Sequence, residues 1–175
     1  MKRKSKRGWA AMSEIITESG MDFLADGVFR IEKSSLYSEL GEGIKSVEFI
    51  RVKDGALLFL ESKETFPNPK SAAKGNLKRF NTQSEDICDK FIHSLNLFSS
   101  VRVNVADYKL PTDFILPDIV ALALVLVVKN HDNKGCKEIK TKLIELMPTY
   151  LLEIWKPSIY VINHGTAIRR NLAIG

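Results

Sequence analysis

The stretch LLFLESKET, residues 57–65, runs four large apolar residues directly into Glu61, Ser62 and Lys63. Side chains alternate along a strand, so a carboxylate at 61 and an ammonium at 63 share one face. Upstream, IKSVEFIRV (44–52) is rich in β-branched and aromatic residues, and Lys53-Asp54-Gly55-Ala56 joins the two runs. Asp-Gly between such runs predicts a hairpin with a two-residue turn. With Asp54 and Gly55 in the turn, paired residue numbers sum to 109. Glu48 then falls directly opposite Glu61, their Cβ atoms about 5 Å apart. A one-residue change in the turn would move Glu48 to the other face.

Ile50, Val52, Leu57 and Phe59 share the face of these glutamates, and Val47, Phe49, Leu58 and Leu60 form the other. The hairpin therefore reads as buried on both sides except at its charged end. Two carboxylates about 5 Å apart repel by roughly 3 kcal/mol at an effective dielectric of about 20. A shared proton, the nearby Lys63 or a bound divalent cation would offset that cost. Magnesium suits the arrangement, since it is held by one or two carboxylates plus water and substrate phosphate. The alternative is a solvated hairpin end whose charges are screened.

The elements that would position these groups follow from periodicity and breakers. Residues 12–26 read as a weak helix ended by Asp26-Gly27, VFRI (28–31) as a strand, and SSLYSEL (34–40) as a short helix capped by Ser34 or Ser35. Residues 66–80 read as a loop rich in Pro, Gly and Lys. Thr82 with Glu85 predicts a capping box opening a helix over 84–99, with Ile87, Phe91, Ile92, Leu95 and Phe98 as its apolar stripe. The β-branched run 118–129 predicts a strand buried on both faces. A helix over 137–147 ended by Pro148, a strand SIYVIN (158–163) and a short C-terminal helix complete the order. The expected fold is α/β (α+β): a central mixed sheet with an antiparallel hairpin and helices on both faces.

A chain of 175 residues fits one domain. Five of its 26 basic residues lie within the first seven positions, which leaves 21 basic against 21 acidic in the remainder. Residues 1–11 are therefore expected to form a disordered basic tail ahead of a domain over 12–175. Cys88 and Cys136 fit neither a disulfide framework nor a zinc spacing, and they point to free thiols in a reducing, cytoplasmic setting. The run IVALALVLVV (119–128) is about half the length a membrane-spanning helix needs, so no membrane partner is expected. Lys70, Lys74, Lys78 and Arg79 follow the charged hairpin end and offer contacts for a nucleic-acid backbone, or else form a solvated loop. The three histidines, His93, His131 and His164, share no ligand spacing.

A carboxylate in one strand, a hairpin, then apolar–Glu-x-Lys at the end of the next strand resembles the PD-(D/E)XK nuclease superfamily, the restriction-endonuclease-like fold. Glu48 in SVEFI matches the second-motif acid, and Glu61-Ser62-Lys63 in FLESK matches the (D/E)xK motif. Glu39 in SSLYSEL matches the first-motif acid, with Glu42 second. The chain departs from the pattern in having Glu at 48 with no preceding Pro. The resemblance spans roughly residues 28 to 163. It implies metal-dependent phosphodiester cleavage with Mg2+ (or Mn2+) held by Glu48, Glu61 and the Ser62 backbone carbonyl. Lys63 would orient water or stabilise the transition state, and Glu39 would assist. The implied partner is nucleic acid, DNA ahead of RNA. A homodimer or larger assembly, or a non-catalytic binding or assembly module on the same fold, is the alternative use.

Overall fold

A computed structural model describes residues 14–40, 42–103, 110, 114 and 121–175. Its first elements are strands rather than the helix expected over 12–26. β1 (Ile15–Glu18) and β2 (Met21–Leu24) pair antiparallel. Ser19 (φ 51°) and Gly20 (φ 65°) make the turn between them, a conformation easy for Gly20 and less common for Ser19. Met21 and Phe23 are buried while Asp22 and Leu24 are exposed. The period is thus two, and the few apolar residues of this stretch satisfy it as well as a helical period. The predicted tail over 1–11 lies outside the described residues.

β3 (Val28–Phe29), a single 3-10 turn (Ile31–Lys33) and α1 (Ser35–Glu39) follow. Ser34 caps α1 by accepting the Tyr37 amide, as its position suggested. β4 (Phe49–Lys53) and β5 (Ala56–Lys63) form the expected hairpin, with Asp54 at φ 50° and Gly55 at φ 73° in its turn. The register pairs Phe49 with Leu60 and Lys53 with Ala56, so the sum of 109 holds throughout the ladder.

α2 (Asn76–Arg102) begins well before the predicted capping box. Gly75, at φ 77°, stands at its N-cap, and the Arg79 amide already donates to the Gly75 carbonyl. Thr82 and Glu85 therefore lie within the helix, where the amides a capping box would serve already have carbonyl partners. β6 (Ala121–Val128), α3 (Asn133–Leu146), α4 (Thr149–Trp155), β7 (Ser158–Asn163) and α5 (His164–Arg169) complete the chain.

The described strands form a two-stranded sheet, β1-β2, and a five-stranded mixed sheet in the order β3-β4-β5-β6-β7. β3, β4 and β5 are antiparallel neighbours, while β5, β6 and β7 run parallel. The fold is thus α+β with a mixed sheet. One face packs Ile50, Leu57, Phe59, Leu124 and Leu126 against the apolar stripe of α2 and against α3 and α4. The other packs Phe49, Leu58, Leu60 and Val125 against Met21 and Phe23 of the β1–β2 hairpin and Ala167 of α5. Val47 belongs to the first cluster, contrary to strict alternation, because the strand starts only at Phe49. Among the described residues no helix is long and apolar enough to cross a membrane.

Candidate functional site: two carboxylates and two lysines at the end of a central strand

β5 is the central strand of the sheet and the point where antiparallel neighbours give way to parallel ones. Its C-terminal residues Glu61, Ser62 and Lys63 pair with Leu126, Val127 and Val128 of β6. On the other side β4 has ended, since its first paired residue is Phe49 opposite Leu60. The end of β5 is thus held rigidly on one edge and open on the other. Open edges beyond the carboxyl ends of strands, where topology switches, are where such sheets hold ligands.

Glu61 faces the helical side, has 0% exposure, and is surrounded by core. Its Oε1 receives Lys63 Nζ at 3.0 Å and Lys90 Nζ at 2.9 Å. Its Oε2 is buried and has no hydrogen-bond partner among the described residues. A buried acceptor left unmet costs about 1–3 kcal/mol, and more when charged. Burial works against the Lys90 ammonium, but Glu61 overrides it and holds that lysine's pKa above the ordinary range.

Glu48 lies one residue before β4, beside the same edge. Burial pushes its carboxyl pKa up to about 7, and the negative charges of Glu61 and Glu18 push the same way, against Lys90 and Lys63. Glu48 thus keeps its proton up to about pH 7 chiefly because it is buried, and the repulsion from Glu61 adds to that.

α2 positions both carboxylates. Ile87, Phe91 and Leu95 bury it against the sheet, which brings Lys90 onto Glu61. Ser94 accepts the Val47 amide at 2.9 Å, His93 Nδ1 accepts the Lys45 amide at 3.1 Å, and the Lys45 ammonium bridges Asp86 and Asp89. The segment that delivers Glu48 is thus tied down along the same helix.

The tip of the β1–β2 hairpin touches that edge at Ser62. Along a strand successive carbonyls point to opposite sides. The Lys63 carbonyl accepts the Lys129 amide at the end of β6, so the Ser62 carbonyl points the other way, where Ser19 Oγ donates to it at 2.9 Å. Glu18, next to Ser19, pairs with Arg30 at 2.6 Å and acts on Glu48. Lys129 Nζ donates to the Gly20 carbonyl at 2.9 Å and so anchors the turn.

Beside Lys63 opens a cleft of about 690 Å³ lined by Lys78, Arg79, Thr82, Gln83 and Phe66 among others. Gln83 Nε2 donates to the Thr65 carbonyl at 3.3 Å, which fixes its amide in that cleft.

Of the residues singled out in the sequence, Glu48, Glu61, Ser62 and Lys63 come together. Lys78 and Arg79 join Lys63 in the cleft. Lys74 is exposed and does not line it. Lys70 turns instead onto Glu138 as an ion pair. Glu39 is exposed and has no hydrogen bond or ion pair among the described residues; the additional carboxylate acting on Glu48 is Glu18. His131 Nε2 lies 2.6 Å from the Phe66 carbonyl and braces the segment after β5.

Sequence reasoning missed Lys90 and Glu18. Lys90 follows Ile87 by three residues and precedes Ser94 by four, so it borders the apolar stripe at helical spacing, a signal present in the sequence. Glu18 was hidden by the helical reading of 12–26.

Glu61 Oε2, unmet among the described residues, and the neighbouring Glu48 are the oxygens a divalent cation could use here. Among the described residues no group of three or more His, Cys, Asp or Glu side chains has the arrangement of a metal site. A cation here would rely on two carboxylates, the Ser62 carbonyl and water, a set that suits magnesium. No protein-family model, curated protein or solved structure matches the chain.

Proposed function

We propose that this protein is a divalent-metal-dependent phosphodiesterase acting on nucleic acid, with Mg2+ or Mn2+ as its ion. The observation that carries this reading is the buried Oε2 of Glu61, without a hydrogen-bond partner among the described residues, beside Glu48 with its raised pKa. Glu48, Glu61 and the Ser62 carbonyl would hold the ion, which when bound supplies Lewis acidity toward water and the scissile phosphate. Glu61 brings a carboxylate fixed in place by burial and two ammonium groups, so little reorganisation is needed at the moment of reaction. Lys63 stands between that carboxylate and the cleft, where it can orient water or stabilise charge on the phosphate. Lys78, Arg79 and Gln83 would hold the nucleic-acid backbone along the cleft.

Calorimetric titration of Mn2+ into the wild type, Glu48→Gln and Glu61→Gln tests the reading, followed by cleavage assays on DNA and RNA. Binding lost in both variants, with metal-dependent cleavage by the wild type, is the expected result. Absence of Mn2+ binding by the wild type both alone and with an oligonucleotide present would overturn it.

A second reading, a binding or assembly module on the same sheet, is favoured by two observations. Glu61 Oε1 already has two ammonium partners and the Ser62 carbonyl already accepts Ser19. Retained oligonucleotide binding without metal-dependent turnover would select it.

A further inference from the structure

Two lysines meet one oxygen of Glu61, yet they come from different surroundings. Lys63 lines the cleft and its side chain is 24% exposed. Lys90 is not among the residues lining the cleft; its side chain is 18% exposed and it stands on the buried side of α2. The backbone of α2 is fixed at Lys90 by Phe91 on one side and by Ser94, bound to Val47, a turn further on. Lys63 sits at the last position of its strand, followed by exposed Glu64 and Thr65.

Burying Glu61 completely requires a permanent counter-charge, because an isolated buried carboxylate is far too costly. One ammonium meets that requirement at Oε1. The second is not needed to neutralise the carboxylate. Of the two, Lys63 is the one that lines the cleft, where turning its flexible stem brings its ammonium to an anion.

We propose that Lys90 is a positioning residue, the standing counter-ion of Glu61, whose presence lets Lys63 leave Glu61 for a phosphodiester in the adjacent cleft. This rests on the nuclease-type reading for the nature of the anion, but not for the division of roles between the lysines. Without Lys90, Glu61 would hold Lys63 as its sole partner and withdraw it from substrate. Lys90 thus acts on the ligand through Lys63, without itself lining the cleft.

The test is binding of a short single-stranded DNA in EDTA, which removes the metal from the measurement. Lys63→Met and Lys90→Met are each expected to weaken binding on the order of tenfold, with Lys90→Arg close to wild type. In a Glu61→Gln background, where no carboxylate retains Lys63, Lys90→Met should have no effect while Lys63→Met still weakens binding. A loss from Lys90→Met that persists in Glu61→Gln, or no loss at all in the parent, would overturn the inference. A merely structural lysine would not show this dependence on residue 61. Lysine-selective 15N spectra of the bare wild-type protein judge the division of roles with no nucleic acid present. The Lys90 ammonium protons are expected to exchange more slowly than those of Lys63, and the reverse order would overturn the inference. A wild type that binds no DNA but shows the expected exchange order would sink the nuclease-type reading alone.

Discussion

Lys90 Nζ lies 2.9 Å from Glu61 Oε1 across 29 residues of sequence, joining the middle of the long helix to the end of the central strand. The contact is where the helical layer and the polar end of the sheet meet. It explains how a strand as apolar as Ala56–Leu60 can finish on a carboxylate with no exposure.

The two sides of that ion cluster should differ in stability when cut. Glu61→Gln leaves two lysines that can extend toward water, since both side chains are partly exposed. Its expected cost is about 1–2 kcal/mol. The pair Lys63→Met with Lys90→Met leaves a carboxylate with no route to solvent, and is expected to cost about 3–5 kcal/mol. Urea denaturation of both variants near neutral pH checks the order. Equal losses, or the reverse order, would contradict the burial of Glu61 as its governing feature.

Glu48 makes stability fall as pH rises. Its folded pKa of about 7 lies above the ordinary 4.5, so between those values the folded protein keeps a proton that the unfolded chain has released. The unfolding free energy therefore declines across that window. The contribution is complete below about pH 4.5 and is lost as pH passes through about 7. Its size, discounted for residual solvent screening, is on the order of 2 kcal/mol. Glu48→Gln should remove this slope, so the variant gains on the wild type between about pH 5 and about pH 8 in denaturant titrations. A difference between the two proteins that stays constant with pH would show that Glu48 titrates normally.

The hairpin at the centre of the site was legible because Asp54 and Gly55 both take positive φ, as a two-residue turn between twisted strands requires. That turn fixes the register, and the register places Glu48 beside Glu61. The pairing of residues 15–24 was less legible. Ile15, Ile16, Met21, Phe23 and Leu24 fit helix and strand alike, and only Ser19-Gly20 separates the two readings. The start of α2 was hidden for a different reason. Gly75 caps it through backbone conformation and with no side-chain bond, whereas Thr82 and Glu85 carry the visible signature and do not cap it. Lys90 and Glu18 reach the site through long-range packing, which local periodicity marks only faintly.

Ser19 ties the hairpin tip to the strand that carries Glu61. Removing its hydroxyl leaves the Ser62 carbonyl without that donor, at a site part-buried between the two sheets. Ser19→Ala is expected to cost about 1 kcal/mol. Faster amide exchange confined to Ile15–Leu24 is the accompanying expectation. Exchange that quickens uniformly across the protein would mean the hairpin does not open as a unit.

Salt dependence distinguishes the cations that face the cleft from one that does not. Lys78 and Arg79 line the cleft beside Lys63, whereas Lys70 is paired with Glu138. Each phosphate contact contributes close to one unit to the slope of log affinity against log salt. Lys78→Ala and Arg79→Ala should therefore each flatten that slope by about 1 and weaken oligonucleotide binding. Lys70→Ala should leave the slope nearly unchanged, because the negative charge of Glu138 already offsets that ammonium. Affinities of a short single-stranded DNA at several salt concentrations supply the measurement. A flattened slope for Lys70→Ala with none for Lys78→Ala or Arg79→Ala would place the nucleic-acid track on the Lys70 side of the loop, away from Gln83 and Lys63.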